Sequence, residues 1–195
     1  MKISNKGFGA YDIRGIYPEE VNEELAYRIG RTFPSLFDAK KVAVGHDIRL
    51  SGPSVRDALE KGLTEAGCDV VDIGQCGTEM IYFTTAHLKL DGGIMITASH
   101  NPKEYNGMKF VRKEARPISS DTGLKELEKA VMEGDFKPAG GAAGKVEKID
   151  ITEEYVQHIL SYVDLKKLKP FKVVVNTGNG AAGPIINELE KHLPF

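Results

Sequence analysis

Apolar residues recur every four positions at Val21, Leu25, Ile29 and Phe33, which is the spacing of one helical face and predicts an amphipathic helix over 20–33. The apolar run KVAVG (41–45) reads as a strand that ends in the loop HDIRLSG. Pro53 suits the first turn of a second helix. Its stripe is Val55, Ala58, Leu59, Gly62, Leu63 and Ala66, with Gly67 placed to cap it. DVVDIG (69–74) is the next strand, TEMIYFTTAHLKL (78–90) a third helix, and GGIMIT (92–97) a third strand.

Strands alternating with helices predict an α/β fold, a three-layer, doubly wound and mixed or mostly parallel sheet. Ligands of such sheets gather beyond the carboxyl ends of the strands, where HDIRLSG and ASHNP both fall. After Pro102 the chain reads as a hairpin turning at Asn106-Gly107. Ser119 or Ser120 is placed to cap a helix running to about residue 133, and the glycine- and alanine-rich segment 136–150 reads as a linker. Beyond it, Tyr155, Val156, Ile159, Leu160 and Val163 form a helix face, FKVVVN (171–176) reads as a strand, and GNGAAGPIINELEKHL enters another helix. A single strand–helix unit cannot close a core. The expected organisation is therefore a first domain over 1–135, a linker over 136–150 and the start of a second, similar domain over 151–195, within a longer polypeptide or with a partner.

Composition narrows the function classes. Of 195 residues, 41% are hydrophobic and 28% charged, an ordinary globular balance. The net charge of −2, from 26 Lys+Arg against 28 Asp+Glu, leaves no basic surplus to attract nucleic acid or an anionic membrane. Anion recognition, if any, must be local. The opening MKISNKGFGAYDIRG has no apolar run of a secretory leader, and no stretch is long enough for a membrane span. Cys68 and Cys76 lack metal-knuckle spacing and read as reduced thiols, so a cytoplasmic protein is expected. His46, His87 and His158 have no partner spacing and read as structural or solvated.

Three motifs carry chemistry. TGNGAAG places Gly178, Gly180 and Gly183 in a G-x-G-x-x-G frame, but tight strand-to-helix turns use glycine for backbone reasons alone, and a nucleotide- or sugar-phosphate-binding module without chemistry stays the alternative. Ser99 beside His100 suggests a hydrolase pair. Adjacent residues of an extended strand point to opposite sides, however, which would leave His100 badly placed as the base. The third reading is phosphate chemistry: Ser99 lies at the sheet's carboxyl edge, with Arg14, Arg49 and Lys109 as nearby cations. A phosphoserine there would carry about −1.5 to −2 charge and offer a hard oxygen to Mg²⁺.

ITASHNPKEYNGMKF resembles the active-site loop of the α-D-phosphohexomutases, AYDIRG resembles that family's opening motif, and VVVNTGNGAAGP resembles the start of its second domain. GTEMIYF and VRKEARPISSDTG are most similar to the bacterial phosphomannomutase branch, which serves GDP-mannose and surface-polysaccharide supply. The resemblance implies a four-domain enzyme that interconverts hexose 6-phosphate and hexose 1-phosphate, with mannose as the hexose and phosphoglucomutase or dual specificity as the sibling reading. By resemblance Ser99 is the phosphoserine, passing its phosphoryl group through a hexose 1,6-bisphosphate and ligating Mg²⁺ through its phosphate. Lys109 matches the general acid/base, Arg14 an arginine beside the phosphoserine, His100 and Asn101 loop residues that shape the site, and Tyr11 a substrate-side aromatic. Arg14 close to Lys109 would lower the lysine pKa, as a base role requires. The remaining metal ligands, the sugar-recognition loop and the phosphate-gripping loop belong to later domains, so this segment alone is expected to hold the phosphoserine but not a complete site.

Overall fold

A computed structural model describes residues 3–136 and 141–195. In chain order the elements are β1 (Ile13–Ile16), α1 (Glu23–Phe37), β2 (Lys41–His46), α2 (Gly52–Glu65), β3 (Asp69–Gln75), α3 (Thr78–His87), β4 (Gly92–Ile96), β5 (Tyr105–Arg112), β6 (Arg116–Pro117), α4 (Lys125–Glu133), β7 (Val146–Lys148), α5 (Thr152–Leu160) and α6 (Gly183–Glu190). One sheet runs in the order β1-β5-β4-β2-β3-β7, with β6 paired to β5. The strands β4, β2, β3 and β7 are mutually parallel, whereas β5 runs antiparallel to β4, to β1 and to β6.

The two-residue period of the strands sorts side chains onto two cores. Val42 and Val44 of β2, with Ile94 and Ile96 of β4, face the layer of α1, α2 and α4, where Leu25, Ile29, Phe33, Leu59, Leu63 and Leu127 are fully buried. Ala43, Met95 and Val111 face the opposite layer, packed against Ile81 of α3 and Tyr155 of α5. Both faces are covered, as the runs of apolar residues in the central strands require. This is the three-layer, mixed α/β sheet that the alternation predicts.

Several elements differ from the sequence reading. The first helix starts three residues later than expected, because Asn22 caps it by accepting the Leu25 amide at 3.0 Å, and it runs through Pro34 to Phe37. Asn106-Gly107 is not a turn but the interior of β5; the hairpin turns further on, at Lys113–Ala115. Gly107 is needed because a Cβ there would lie 2.0 Å from the Ile13 carbonyl oxygen, with β1 pressed close alongside. Asn106 is buried and donates to Ser51 Oγ at 2.8 Å, tying β5 to the start of α2. Within the segment read as a linker, Val146–Lys148 forms the edge strand beside β3, and part of that segment, 137–140, lies outside the described residues. FKVVVN forms no strand: it has no pairing partner among the described residues, and Phe171 and Val174 are 64% and 88% exposed. The helix expected after it is present as α6.

Candidate active site

β4 ends at Ile96, and the chain then breaks from extended geometry. Ser99 has φ +55°, in the left-handed region, a conformation that costs a non-glycine residue on the order of 1–3 kcal/mol and persists only where its surroundings enforce it. The enforcing contacts are visible. The Thr97 hydroxyl accepts the Ser99 amide at 2.8 Å and donates to Asp47 Oδ2 at 2.7 Å. The Asn101 amide closes a turn onto the Ala98 carbonyl at 3.0 Å. Arg49 holds the far side: Nη2 donates to the carbonyls of Ser99 (3.0 Å) and Asn101 (2.7 Å), Nη1 to those of Pro102 (2.7 Å) and Tyr105 (2.8 Å), and Nε to Asp47 Oδ2 (3.2 Å). Expected as a phosphate-binding cation, Arg49 is instead bonded to the loop's main chain and mostly buried.

The left-handed turn also overturns the argument that kept Ser99 and His100 apart. Alternation applies to extended residues, and Ser99 is not extended, so its Oγ lies 3.3 Å from His100 Nδ1. Both side chains are exposed. Among the described residues no carboxylate hydrogen bond orients this imidazole, so the pair lacks the third member of a hydrolase triad there.

A second group of side chains comes from β1 and β5. Arg14 pairs with Gly107 across the two strands, and Lys109 lies two residues further along β5, so the two cations share a face. Asp12, two residues before Arg14, joins them. Its Oδ2 accepts Lys109 Nζ at 2.7 Å and Arg14 Nε and Nη2 at 3.0 and 2.8 Å. Burial alone would raise the Asp12 carboxyl, but the hydrogen bonds and charges of Arg14 and Lys109 outweigh it and hold the group below its ordinary value. Arg14 and Lys109 are close, as expected, but a carboxylate joins them: Asp12 Oδ2 accepts from both. Arg14 Nη1 donates to Asn101 Oδ1 at 2.8 Å, which links this group to the serine loop. Asp12, Asp47 and Thr97 had no role in the sequence reading. For Asp12 the available signal was its spacing, two positions before Arg14 and next to the start of β1.

Ser99, His100 and Asn101 line an open cavity of about 1360 Å³, together with Ser54, Glu79 and the turn Asn179, Gly180, Ala181 that leads into α6. Arg14, Lys109 and Tyr11 do not line it, and Tyr11 is 77% exposed. The glycine turn uses Gly178 at φ +60°, the backbone role its motif allowed. Cys76 also borders the cavity, but burial, with the Glu79, Asp72 and Asp47 charges adding to it, pushes its thiol up to about 12, which rules out a thiolate nucleophile at neutral pH. Cys68 is likewise buried and free. His46, His87 and His158 sit in structural contacts, His46 against the Asp47 carbonyl and the other two against the Phe83 ring. Among the described residues no group of three or more His, Cys, Asp or Glu side chains could hold a metal ion. A phosphate on Ser99 would offer Mg²⁺ one hard oxygen, and the residues present do not make a cage around it.

Ser99 thus stands in a left-handed turn beyond the carboxyl end of β4 in a three-layer α/β/α sheet, with Arg14 joined to its loop through Asn101, and comparison with known proteins gives the family. Residues 5–138 match the family model described as "Phosphoglucomutase/phosphomannomutase, alpha/beta/alpha domain I". The chain belongs to this family. It is 51% identical over 187 residues to a phosphomannomutase of Salmonella montevideo, covering 95% of this chain and 41% of that protein. It is 52% identical to a protein of Xanthomonas campestris named phosphohexose mutases, covering 96% of this chain and 42% of that one. The crystal structure of a phosphoglucomutase/phosphomannomutase family protein from Burkholderia thailandensis superposes with TM-score 0.87 at 36% identity, over 98% of this chain and 43% of that chain. The 195 residues thus span about 41% of the length of the Salmonella protein. No helix among the described residues is long and apolar enough to cross a membrane.

Proposed function

We propose that this chain supplies the phosphoserine side of a phosphohexomutase site, in a cytoplasmic enzyme that interconverts mannose 6-phosphate and mannose 1-phosphate. The observation that supports this most is Ser99 itself, exposed, held in a left-handed turn beyond β4 and linked through Asn101 to Arg14, Asp12 and Lys109. In the forward step a hydroxyl oxygen of the bound hexose phosphate bonds to the phosphorus on Ser99, and the Ser99 Oγ–P bond breaks. The proton of that hydroxyl ends on the serine oxygen, with Lys109 as carrier. The resulting hexose 1,6-bisphosphate then returns its other phosphoryl group to Ser99 by the reverse exchange. Arg14 offsets the charge that builds on the moving group, which is where catalysis of phosphoryl transfer chiefly lies. His100 and Asn101 shape the loop, and Tyr11 is the substrate-side aromatic. Mg²⁺, when bound, would neutralise phosphate charge; its remaining ligands, the sugar-recognition loop and the phosphate-gripping loop would come from the part of the relatives' length that these residues do not span.

The family description, which names phosphoglucomutase as well as phosphomannomutase, favours testing glucose as well as mannose. Intact-mass analysis of the full polypeptide is expected to show an added mass of about 80 Da, one phosphoryl group, mapping to Ser99. Ser99→Ala is expected to lose that mass and mutase turnover by at least about 10³-fold. Full turnover by Ser99→Ala would rule out the phosphoenzyme, and a protein that binds hexose phosphates without turnover would favour the non-catalytic module.

A further inference from the structure

A guanidinium has five N–H donors in a rigid planar fork, and at Arg49 every one has a partner on the protein. None is left for a substrate or a phosphate. Four of the acceptors are main-chain carbonyls, those of Ser99, Asn101 and Pro102 in the loop after β4 and of Tyr105 where β5 begins, and the fifth is Asp47 Oδ2. That same Asp47 oxygen accepts the Thr97 hydroxyl, whose oxygen in turn accepts the Ser99 amide. The amide and the carbonyl of Ser99 are therefore both fixed, by groups that share one carboxylate oxygen. The Arg49 side chain is only 9% exposed, so water does not compete well for these bonds.

We propose that Arg49 is a positioning residue for phosphoryl transfer at Ser99: by clamping the carbonyls of Ser99, Asn101, Pro102 and Tyr105 it fixes the left-handed serine backbone, and with it the direction in which Oγ presents phosphorus to the acceptor. The proposal rests on the mutase reading above. Arg49 touches neither the serine oxygen nor substrate; it acts on the geometry of the transfer. A lysine keeps the charge but has one nitrogen and three donors, which cannot span carbonyls that the fork reaches from separate nitrogens.

The test uses the full polypeptide with mannose 1-phosphate and glucose 1,6-bisphosphate as probes, after thermal melting and near-ultraviolet circular dichroism have scored folding. Arg49→Lys is expected to lower kcat by about 10²-fold with KM changed by less than about threefold, since misplacement of a reacting atom by about 1 Å is enough for such a loss. The rate at which the bisphosphate loads phosphate onto Ser99, followed by intact mass, is expected to fall in the same proportion. Arg49→Ala is expected to recover at least about tenfold of its lost kcat on addition of methylguanidinium, which can refill the vacated fork position. A kcat for Arg49→Lys within about threefold of wild type overturns the proposal. So does a joint loss of kcat, KM and folding in both variants with no rescue, because Arg49 would then serve the fold alone. The mutase reading fails separately: a wild-type protein with neither phosphate on Ser99 nor turnover sinks that reading, whereas a phosphorylated, active wild type with an indifferent Arg49→Lys sinks only the positioning role.

Discussion

Glu60 of α2 is 8% exposed, and its Oε1 is buried without a hydrogen-bond partner among the described residues. Burial, then the charge of Asp72, pushes its carboxyl up to about 7, against the opposing pull of Arg56 and Lys148 and with a smaller push from Asp57. The ordinary value is 4.5, so between that pH and about 7 the folded protein keeps a proton that the unfolded chain releases. Stability from this group is full below 4.5 and is lost as pH rises through about 7, by on the order of 3 kcal/mol. Glu60→Gln keeps the shape and cannot ionise. Thermal melts should show the variant a few degrees more stable than wild type at pH 8 and nearly equal at pH 4.5; an equal gain at both would refute the assignment. Single residues were the least legible part of the sequence. The pairing of Ser99 with His100 was hidden because alternation presumes extended backbone, and the main-chain grip of Arg49 was hidden because nothing local marks which carbonyls a distant loop will present.

Elements were read with more success, since their signals are local and repeated. The stripes of α1 and α2, the apolar runs of β2, β3 and β4 and the helix after Gly183 all follow from periodicity. What periodicity cannot carry is pairing. The reversed direction of β5 and its neighbour β1 depends on contacts far apart in sequence, and Asn106-Gly107, a strong turn signal in isolation, serves the close approach of β1 and an anchor on Ser51 instead. Gly62 shows the same lesson within a helix. Its place in the apolar stripe of α2 marks a crossing with α1: a Cβ there would lie 2.2 Å from the Tyr27 carbonyl oxygen, and one at Gly30 would lie 2.3 Å from that of Leu59. Gly62→Ala should gain about 1 kcal/mol of helix propensity yet lose more by forcing backbone apart, for a net cost of about 1–3 kcal/mol. Urea denaturation would register this as a lower midpoint with unchanged slope, and an unmoved midpoint would contradict the close crossing.

At the scale of the molecule, the sheet between two helical layers was readable from the order of strands and helices, and the family from the serine loop. Less readable was the fate of 171–176, whose apolar pattern specifies a strand while the described residues provide no neighbour for it. In the 195-residue chain the amides of Lys172, Val173, Val174, Val175 and Asn176 should therefore exchange hydrogen at nearly unfolded rates, while those of β2 and β4 exchange only through global opening. Strong protection at 172–176 would mean that the segment has found a partner. The Arg49 clamp has a different reach. It reads only carbonyl oxygens, and every residue type has one, so the shape of the serine loop is decoupled from the identity of most of the side chains it carries. Lys103 and Glu104 line the cavity yet give the clamp nothing. That makes these two positions a place where the cleft wall can be rewritten, by evolutionary drift or by an engineer, while the loop's backbone stays where it is.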